Sequence, residues 1–275
     1  MADMQEYLCG AHPEWGRIAI LPGDTEIFGF AVADLQVDDP GAIFQGRAAF
    51  AQALRRWADQ NSVELVGCGV PAGESRWRAL LPRLDFRYVE TALSFTIPRV
   101  QGLQFDQKHA RVRLATEADR AAVELIAERG FNAGRYHADP LFPRELANRR
   151  YCRFIGEAFA DLSDGNRVYV TGGRGSVTCF MHTRLRGDTA DVVLGGTDPS
   201  VQGTIVPLTV WLGALMDLKQ SGVRRLKSRL SAGNTAMMNI AAHSGARFSA
   251  AQHVFHWHAE GAAHLHGLNT LWSPA

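Results

Sequence analysis

The order of periodic segments between residues 112 and 258 constrains the fold most. Three successive segments alternate apolar and polar residues as strands do, at residues 167–171, 176–184 and 190–197. The pattern then changes to helix, strand, helix and strand, at residues 205–220, 224–230, 234–244 and 252–258. A three-strand meander followed by this alternation predicts an α/β fold built on a mixed sheet.

Two helical segments precede the meander. The first covers residues 120–129, behind a short strand-like segment at 112–114, and the second covers residues 144–160. Thr116, with Asp119 three residues later, approximates a capping box at the start of the first helix. An irregular loop over residues 130–143 connects the two predicted helices.

The first hundred residues also contain segments with the two-residue period of strands and segments with the 3.6-residue period of helices. Strand-like segments at 17–20 and 27–32 flank Pro22-Gly23-Asp24, which predicts a hairpin. The segments after them predict helix, strand, helix and strand, at residues 47–60, 63–70, 74–84 and 87–97. The polar stretch 99–109 separates this part from the rest. We therefore predict domains over residues 1–100 and 110–259, followed by a tail over residues 260–275.

Composition argues against several classes of protein. The 275 residues include 29 Lys and Arg against 28 Asp and Glu without long runs of one sign, so we expect no nucleic-acid partner. The four cysteines show no C-x-x-C spacing, and the start MADMQEYLCG lacks a basic region followed by an apolar core, so we expect a cytoplasmic location. No apolar stretch approaches the roughly 20 residues that cross a bilayer, so we expect no membrane partner.

The segment from Ser231 to Phe248 is the most informative motif. Asn234 is placed to cap the first turn of a helix, and Gly245 to take the left-handed conformation that ends it. The segment resembles the fifth strand and following helix of the Gcn5-related N-acetyltransferase (GNAT) superfamily. This resemblance covers about residues 112–258 and implies a GNAT-like mixed central sheet flanked by helices. It also implies that Asn234 contacts the cosubstrate, acetyl-CoA.

Two further segments extend the resemblance. Residues 77–97 look like the helix, Gly-Phe turn and final strand of a GNAT domain, with Asp85 where Gly is usual. They imply an N-terminal partial GNAT-like half-domain. The loop 131–143 looks like the acceptor-side loop of the dTDP-4-amino-sugar acetyltransferases, including dTDP-fucosamine enzymes. That likeness implies that the acceptor is contacted by four residues, Arg135, Tyr136, His137 and Asp139.

The resemblance also implies a cofactor site. The backbone of Leu194, Gly195 and Gly196 is expected to pair with the pantetheine arm and to polarise the thioester carbonyl. Gln202, Gly203 and Thr204 stand in the loop that cradles the pyrophosphate in the family. For proton transfer the candidates are Asp191 and His137, with His182 as a further possible base.

Three positions depart from the family pattern. Ile205 and Pro207 replace small residues of the phosphate loop, and Ala241 stands where the family has a general-acid Tyr, seven residues after Asn234. Pro lacks an amide donor, although a helix accepts it in its first turn. These changes leave two alternatives to an acyl-CoA enzyme open: a GNAT-shaped binding or scaffold protein, and an acyltransferase whose donor is an acyl-carrier protein.

The function implied is N-acylation of a small polar amine, such as a nucleotide-linked amino sugar, by a chain that can also form a homodimer. We expect no metal, since no carboxylate or cysteine stands at a supporting spacing to the C-terminal histidines, which are His253, His256, His258, His264 and His266. The basic residues Arg224, Arg225, Lys227 and Arg229 form either a solvated edge or a surface that attracts a nucleotide phosphate.

Overall fold

The computed structural model of the protein describes residues 6–104, 112–131, 133–173 and 176–262. The strands in these ranges are β1 (Glu6–Tyr7), β2 (Arg17–Ile20), β3 (Ala31–Gln36), β4 (Val63–Pro71), β5 (Arg87–Ile97), β6 (Arg113–Leu114), β7 (Asn166–Gly173), β8 (Ser176–Arg186), β9 (Thr189–Thr197), β10 (Arg225–Ser231) and β11 (Arg247–His258). The α-helices are α1 (Pro22–Phe28), α2 (Pro40–Gln45), α3 (Arg47–Gln60), α4 (Ser75–Leu80), α5 (Arg120–Arg129), α6 (Arg144–Ala160), α7 (Val206–Gln220) and α8 (Thr235–His243).

The chain divides into two compact units, and neither is continuous in sequence. Unit 1 contains the described residues of 1–92, 134–147 and 251–275, and unit 2 contains those of 93–133 and 148–250. The predicted domains over 1–100 and 110–259 therefore do not coincide with the compact units, and they stay a prediction. The predicted tail 260–275 lies outside the described residues from 263 onwards.

Unit 1 is built on a mixed set of strands. β1, β2 and β3 are antiparallel neighbours, β3 is parallel to β4, and residues 252–258 of β11 run antiparallel to β4. Helix α3 turns Phe50, Leu54 and Trp57 into the core of this unit, as their helical spacing predicts. Asp85 has φ 64°, so the position where the family has Gly is left-handed, a conformation that Asp tolerates better than most residues.

The hairpin predicted at residues 17–32 is wrong at its connection, which is a helix and not a tight turn. Strand β2 does pair with the next strand, but residues 22–28 form helix α1, and the partner strand starts only at Ala31. Pro22 lies in the first turn of α1, where its missing N–H costs nothing, and Gly29 closes the helix at φ 79°. Proline followed by glycine is typical of both a turn and a helix start, so the sequence did not separate them.

Unit 2 places its strands between two helical layers. Strands β6, β7, β8 and β9 are consecutive antiparallel neighbours, and β10 runs parallel to β9. Alternate residues of β7 enter different cores: Tyr169 packs with residues of α7 and α8, and Val168 and Val170 pack with residues of α5 and α6. This arrangement confirms the predicted α/β class, a mixed sheet flanked by helices.

The first helical region of unit 2 begins as its sequence predicts. The Thr116 backbone N–H donates to the Asp119 carboxylate at 2.9 Å, in a capping box. Arg113 adds two hydrogen bonds of 2.7 Å to the same carboxylate, which is fully buried. None of the helices in the described ranges is both long and apolar enough to cross a membrane.

Candidate functional site

The parallel strands β9 and β10 of unit 2 separate part of the way along. Their pairing joins residues 189–191 to residues 225–227, whereas β9 continues to Thr197 and β10 to Ser231. Opposite this point, β8 pairs His182 with Leu194 but Thr183 with Val192, so Val193 is a bulged residue. Bulges are over-represented beside active sites, where they redirect the backbone. The backbone of β9 beyond Asp191 therefore faces a gap between two parallel strands.

A polar cleft of about 490 Å³ lies where the two strands part. Its lining residues are Ser94, Phe95, Thr96, Asp191, Val192, Lys227, Ser228, Arg229 and Ser249. Ser228 Oγ donates to the Val192 carbonyl at 3.0 Å and so bridges the parting strands. The structure thus places Asp191, a predicted catalytic residue, on the wall of a cleft.

The charges of the cleft are of both signs. The Asp191 carboxylate lies 3.6 Å from Arg186 Nε, a solvent-exposed ion pair near the turn that joins β8 to β9. Lys227 and Arg229 are exposed, and neither has an ion-pair partner within 4.0 Å among the described residues. The cleft can therefore attract an ammonium group through Asp191 and an anionic group through Lys227 and Arg229.

Gly195 and Gly196, the two glycines of β9 that are predicted to contact the cofactor, differ in the space around them. A Cβ on Gly196 would lie 2.5 Å from Phe180 Cε1 and 3.2 Å from Ile126 Cγ2, inside the packed core. A Cβ on Gly195 would meet nothing closer than the Phe180 carbonyl oxygen at 3.5 Å. Packing therefore accounts for Gly196, and the exposed backbone at Gly195 leaves room for a ligand. Leu194, before them, is 9% exposed and packs against the α5 and α6 side.

The loop before α7 differs from a phosphate cradle. The Gln202 side-chain amide donates to the carbonyls of Gly130 and Thr197 at 3.3 Å each, so it braces the loop. Gly203 has φ 76° and open space where a Cβ would lie. The Thr204 hydroxyl donates to the Val201 carbonyl at 2.6 Å. These contacts explain all three residues by loop conformation, and leave Gly203 as the place where a ligand can approach the backbone.

The start of α7 offers few donors to an anion. Pro207 lies in the first turn and has no N–H, and the N–H of Val206 already bonds Thr204 Oγ1 at 3.3 Å. Ile205 is 66% exposed. Pro207 begins a helix, as the sequence suggests, and this helix N-terminus fits a pyrophosphate less well than one with glycines there.

Asn234 and Gly245 occupy the predicted ends of α8. Asn234 Oδ1 accepts a hydrogen bond from the Met237 N–H at 3.0 Å, and Gly245 follows the helix with φ 75°. Both capping predictions are confirmed. Ala241, where the family has its Tyr, is fully buried in the core shared with α7, so the position supplies no proton to the cleft.

His182 is a buried strand residue. Its Nε2 lies 2.6 Å from Asn166 Oδ1, while the Asn166 amide donates to the carbonyls of Ala158 and Asp161. Because the Asn166 amide is used as a donor, His182 Nε2 donates to Oδ1. Burial lowers the pKa of His182 to about 4, so the ring is neutral at physiological pH. Its role is structural, and it does not line the cleft.

The predicted acceptor residues belong to unit 1, whereas the predicted cofactor residues belong to unit 2. Tyr136 is 4% exposed, and its hydroxyl donates to Asp24 Oδ2 at 2.6 Å. Arg135 Nη2 lies 3.0 Å from the same oxygen and 2.9 Å from the Tyr136 hydroxyl. Asp24 thus holds both side chains. Asp24 is not among the predicted site residues, because Pro22-Gly23-Asp24 also suits a hairpin turn.

Asp139 is joined to two of the C-terminal histidines. Its Oδ2 lies 2.6 Å from His256 Nδ1 and 2.9 Å from His258 Nε2, while its Oδ1 accepts from the Leu141 N–H at 2.9 Å. Burial opposes ionisation of Asp139, but the hydrogen bonds from His256 and His258 hold its pKa well below the usual range. His137, two residues earlier, is half-buried in the same unit. His264 and His266 lie outside the described residues.

These three side chains are the group among the described residues that could hold a metal ion, since their ligating atoms lie within 4.8 Å of one another. The sequence prediction of no metal rested on the lack of a carboxylate near the histidines. The structure supplies Asp139, 117 positions before His256. Burial lowers the pKa of His256, in the direction that favours the neutral imidazole a metal ion requires.

Comparison with known proteins bears on the fold. No protein-family model matches the sequence, and no curated protein matches it. A GCN5-related N-acetyltransferase from Sphaerobacter thermophilus superposes with a TM-score of 0.60 at 12% identity, covering 90% of this chain and 78% of that chain. One from Kribbella flavida gives a TM-score of 0.57 at 12% identity, covering 96% and 92%.

A tandem GNAT protein from the clavulanic acid biosynthesis pathway gives a TM-score of 0.52 at 14% identity, covering 89% of this chain and 79% of that chain. These similarities confirm the GNAT fold that the sequence resemblance predicts. They do not extend to the finer likeness to dTDP-amino-sugar acetyltransferases, which stays a prediction.

Proposed function

We propose that the chain is an acyl-CoA-dependent N-acyltransferase that acylates the amino group of a small polar acceptor. The fold is that of GNAT acetyltransferases. The observation that carries the proposal is the parting of β9 and β10 beside a cleft that contains Asp191. A gap between parallel strands exposes backbone donors and acceptors that an extended amide-containing arm can pair with, as an added strand would.

The bulge at Val193 and the open backbone at Gly195 support a place for the pantetheine arm of acetyl-CoA. An N–H group of β9 in this gap is suited to donate to the thioester carbonyl, because a fixed donor stabilises the negative charge that develops on that oxygen. The resemblance assigns this part to Leu194, Gly195 and Gly196, and Asn234 begins the helix that follows β10.

The reaction requires the acceptor nitrogen to attack the thioester carbon, so that a C–N bond forms and the C–S bond breaks. An acceptor that arrives as an ammonium must first lose a proton. We assign its binding and deprotonation to Asp191, the acidic residue of the cleft. As the amide forms, the nitrogen releases its second proton to water, and the departing thiolate takes a proton from water, since Ala241 has no hydroxyl. A role for His137 in the same step stays a prediction.

The loop before α7 is poorly suited to the nucleotide end of acetyl-CoA, whereas β9 is well suited to the pantetheine arm. Ile205 is exposed where the family has a small residue, and Pro207 removes one amide donor from the first turn. We therefore propose that the arm contributes most of the binding energy, with Gln202, Gly203 and Thr204 shaping the loop. The finer proposal of a nucleotide-linked amino sugar as acceptor is supported by Lys227 and Arg229, whose charges suit a phosphate.

The proposal is tested first by calorimetric titration with acetyl-CoA, CoA and acetyl-pantetheine. Micromolar binding of acetyl-CoA, about −8 kcal/mol, is expected, with acetyl-pantetheine within roughly tenfold of it. Amine-dependent release of free thiol then measures turnover over a panel of amines. The absence of both binding heat and a change in melting temperature with acetyl-CoA would remove the CoA-dependent enzyme.

A matched pair of variants tests the assignment of Asp191. Asp191→Asn should lower kcat by roughly 10²–10⁴-fold and leave the Kd for acetyl-CoA unchanged, because it removes a proton acceptor and keeps the shape. Asp188→Asn is the control. Asp188 immediately precedes β9 but does not line the cleft, and its carboxylate lies 3.8 Å from Arg225. Equal losses in the two variants would argue against a catalytic role for Asp191.

A second candidate is favoured by the same departures from the family. Ile205, Pro207 and the buried Ala241 are together compatible with a GNAT-shaped protein that binds without catalysing, or with one that accepts its acyl group from a carrier protein, whose pantetheine lacks the adenosine nucleotide. Transfer from an acyl-carrier protein without measurable binding of CoA would select the carrier-protein donor. Ligand binding without turnover by either donor would select the binding protein.

A further inference from the structure

A cluster in unit 1 brings three metal-ligating side chains together from two distant parts of the chain. Asp139 and His256 are buried, and the side chain of His258 is 5% exposed. The Nδ1 atom of His256 and the Nε2 atom of His258 both point at Asp139 Oδ2, at 2.6 and 2.9 Å. Such an arrangement presents two imidazole nitrogens and one carboxylate oxygen to a common point.

The backbone holds the two histidines in position. His256 and His258 are two residues apart on β11, so their side chains leave the same face of the strand. This part of β11 is paired residue by residue with β4, with His256 opposite Gly67 and His258 opposite Leu65. A rigid strand supplies two of the three donors, which reduces the entropy that a bound ion would cost.

The carboxylate is oriented by contacts that leave one oxygen for the cluster. Asp139 Oδ1 accepts a hydrogen bond from the Leu141 N–H at 2.9 Å, so Oδ2 is the atom turned to the histidines. Support of this kind, from a group that does not itself touch the ion, fixes the orientation of metal ligands.

We propose that Asp139, His256 and His258 form a binding site for a divalent transition-metal ion, with Zn²⁺ as the best match. Two imidazoles and one carboxylate are a ligand set that Zn²⁺ takes in proteins, with water completing a tetrahedron. Zn–N and Zn–O bonds of about 2.0–2.1 Å at tetrahedral angles separate ligand atoms by about 3.3 Å. Relative to Oδ2 at 2.6 and 2.9 Å, His256 Nδ1 therefore needs to move outward by about 0.7 Å and His258 Nε2 by about 0.4 Å.

The ion replaces the two imidazole protons that point at the carboxylate, so binding releases protons and the hydrogen-bonded cluster is the metal-free form. His258 is the last residue of β11 and the least buried of the three, which makes it the side from which an ion enters. Bound metal joins residues 134–147 to β11 within unit 1, so it stabilises the fold of this unit. The inference is independent of whether the chain transfers acyl groups.

The test uses the full chain, stripped of metal with a chelator and titrated with Co²⁺ and then with Zn²⁺. One equivalent of Co²⁺ should give visible absorption bands typical of a four-coordinate site, and Zn²⁺ should displace it. Zn²⁺ should also raise the melting temperature of the stripped protein by several degrees. The absence of both the Co²⁺ bands and the Zn²⁺-dependent shift overturns the proposal.

Variants locate the site. Asp139→Asn and His258→Gln should each weaken binding by at least roughly tenfold, judged on protein whose circular dichroism matches that of the wild type. His258→Gln is included because His258 ends β11 and is the least buried of the three, which makes it the less disruptive change. His253→Gln is the matched control: this histidine is on the same strand, its Nδ1 bonds Thr91 Oγ1 at 2.9 Å, and its removal should leave the affinity unchanged.

A double variant tests the two last histidines of the sequence. The double substitution His264→Gln and His266→Gln should bind Co²⁺ as the wild type does. Loss of the bands in this variant, with binding retained in Asp139→Asn, would assign the metal to the C-terminal histidines and overturn the proposal.

Discussion

The neighbouring glycines of β9 allow a prediction in which stability and ligand binding are separated. Gly196 lies opposite Phe180 in the β8–β9 pairing, and a Cβ at this position would be 2.5 Å from Phe180 Cε1 and 2.9 Å from Cζ. Phe180 is fully buried and Ile126 is 2% exposed, so neither can swing into solvent. Gly196→Ala should therefore overpack the core of unit 2, at a cost of about 1–3 kcal/mol.

Gly195→Ala adds the same methyl group one residue earlier and provides the control. Its nearest neighbour would be the Phe180 carbonyl oxygen at 3.5 Å, an ordinary contact. Neither glycine has positive φ, so alanine suits both backbones and gains about 0.4–1 kcal/mol by restricting the unfolded chain. Gly195→Ala should thus be as stable as the wild type or slightly more so. The unfolded-chain gain is common to both variants, so they should differ by the overpacking cost alone, roughly 1–3 kcal/mol.

Thermal unfolding followed by circular dichroism measures the stability of both variants, and calorimetric titration measures their affinity for acetyl-CoA. Gly195→Ala should weaken acetyl-CoA binding by at least roughly tenfold, because its methyl group occupies the open backbone assigned to the pantetheine arm. Equal stability of the two variants would refute the packing argument. Unchanged affinity in a stable Gly195→Ala protein would refute the placement of the arm.

Asn234→Ala should cost about 1 kcal/mol in thermal unfolding through loss of the α8 cap, and Asn234→Asp should largely retain it. The hydrogen bond from Arg113 holds the pKa of Asp119 below its ordinary value of about 3.9, so stability from this pair is complete above that pH and is lost as pH falls. Melting temperature against pH should fall less steeply in acid for Asp119→Asn. Ala241→Tyr should destabilise the buried core without raising the rate of thiol release. Arg229→Glu should raise KM for a phosphorylated amine at least roughly tenfold and leave KM for an uncharged amine unchanged.

Local patterns in the sequence predicted the regular elements well. Strand β5 and helix α6 have the bounds that periodicity alone indicates, because each segment is long and carries one clear period. The capping box at Thr116 and the caps of α8 were also predictable, since each depends on residues within one or two turns of one another. Helix α1 was missed because its first residues also suit a turn.

The candidate site divides in the same way between local and long-range features. The positions of Asn234 and Gly203 follow from local rules of helix and turn geometry. The cleft does not, because it depends on where β9 and β10 stop pairing, and no periodic pattern encodes that point. The partnership of Asp139 with His256 spans 117 positions and was hidden for the same reason.

Long-range contacts occupy the side chains that the sequence predicts to face an acceptor. The resemblance assigns Arg135, Tyr136 and Asp139 to the acceptor, but within unit 1 the Tyr136 hydroxyl is held by Asp24 and the Asp139 carboxylate by two histidines. A buried group that is already hydrogen-bonded gains little by exchanging its partner for a ligand, since the lost bond offsets the new one. Selectivity for the acceptor is therefore better sought among the exposed polar groups of the unit 2 cleft than in the loop that the sequence singled out.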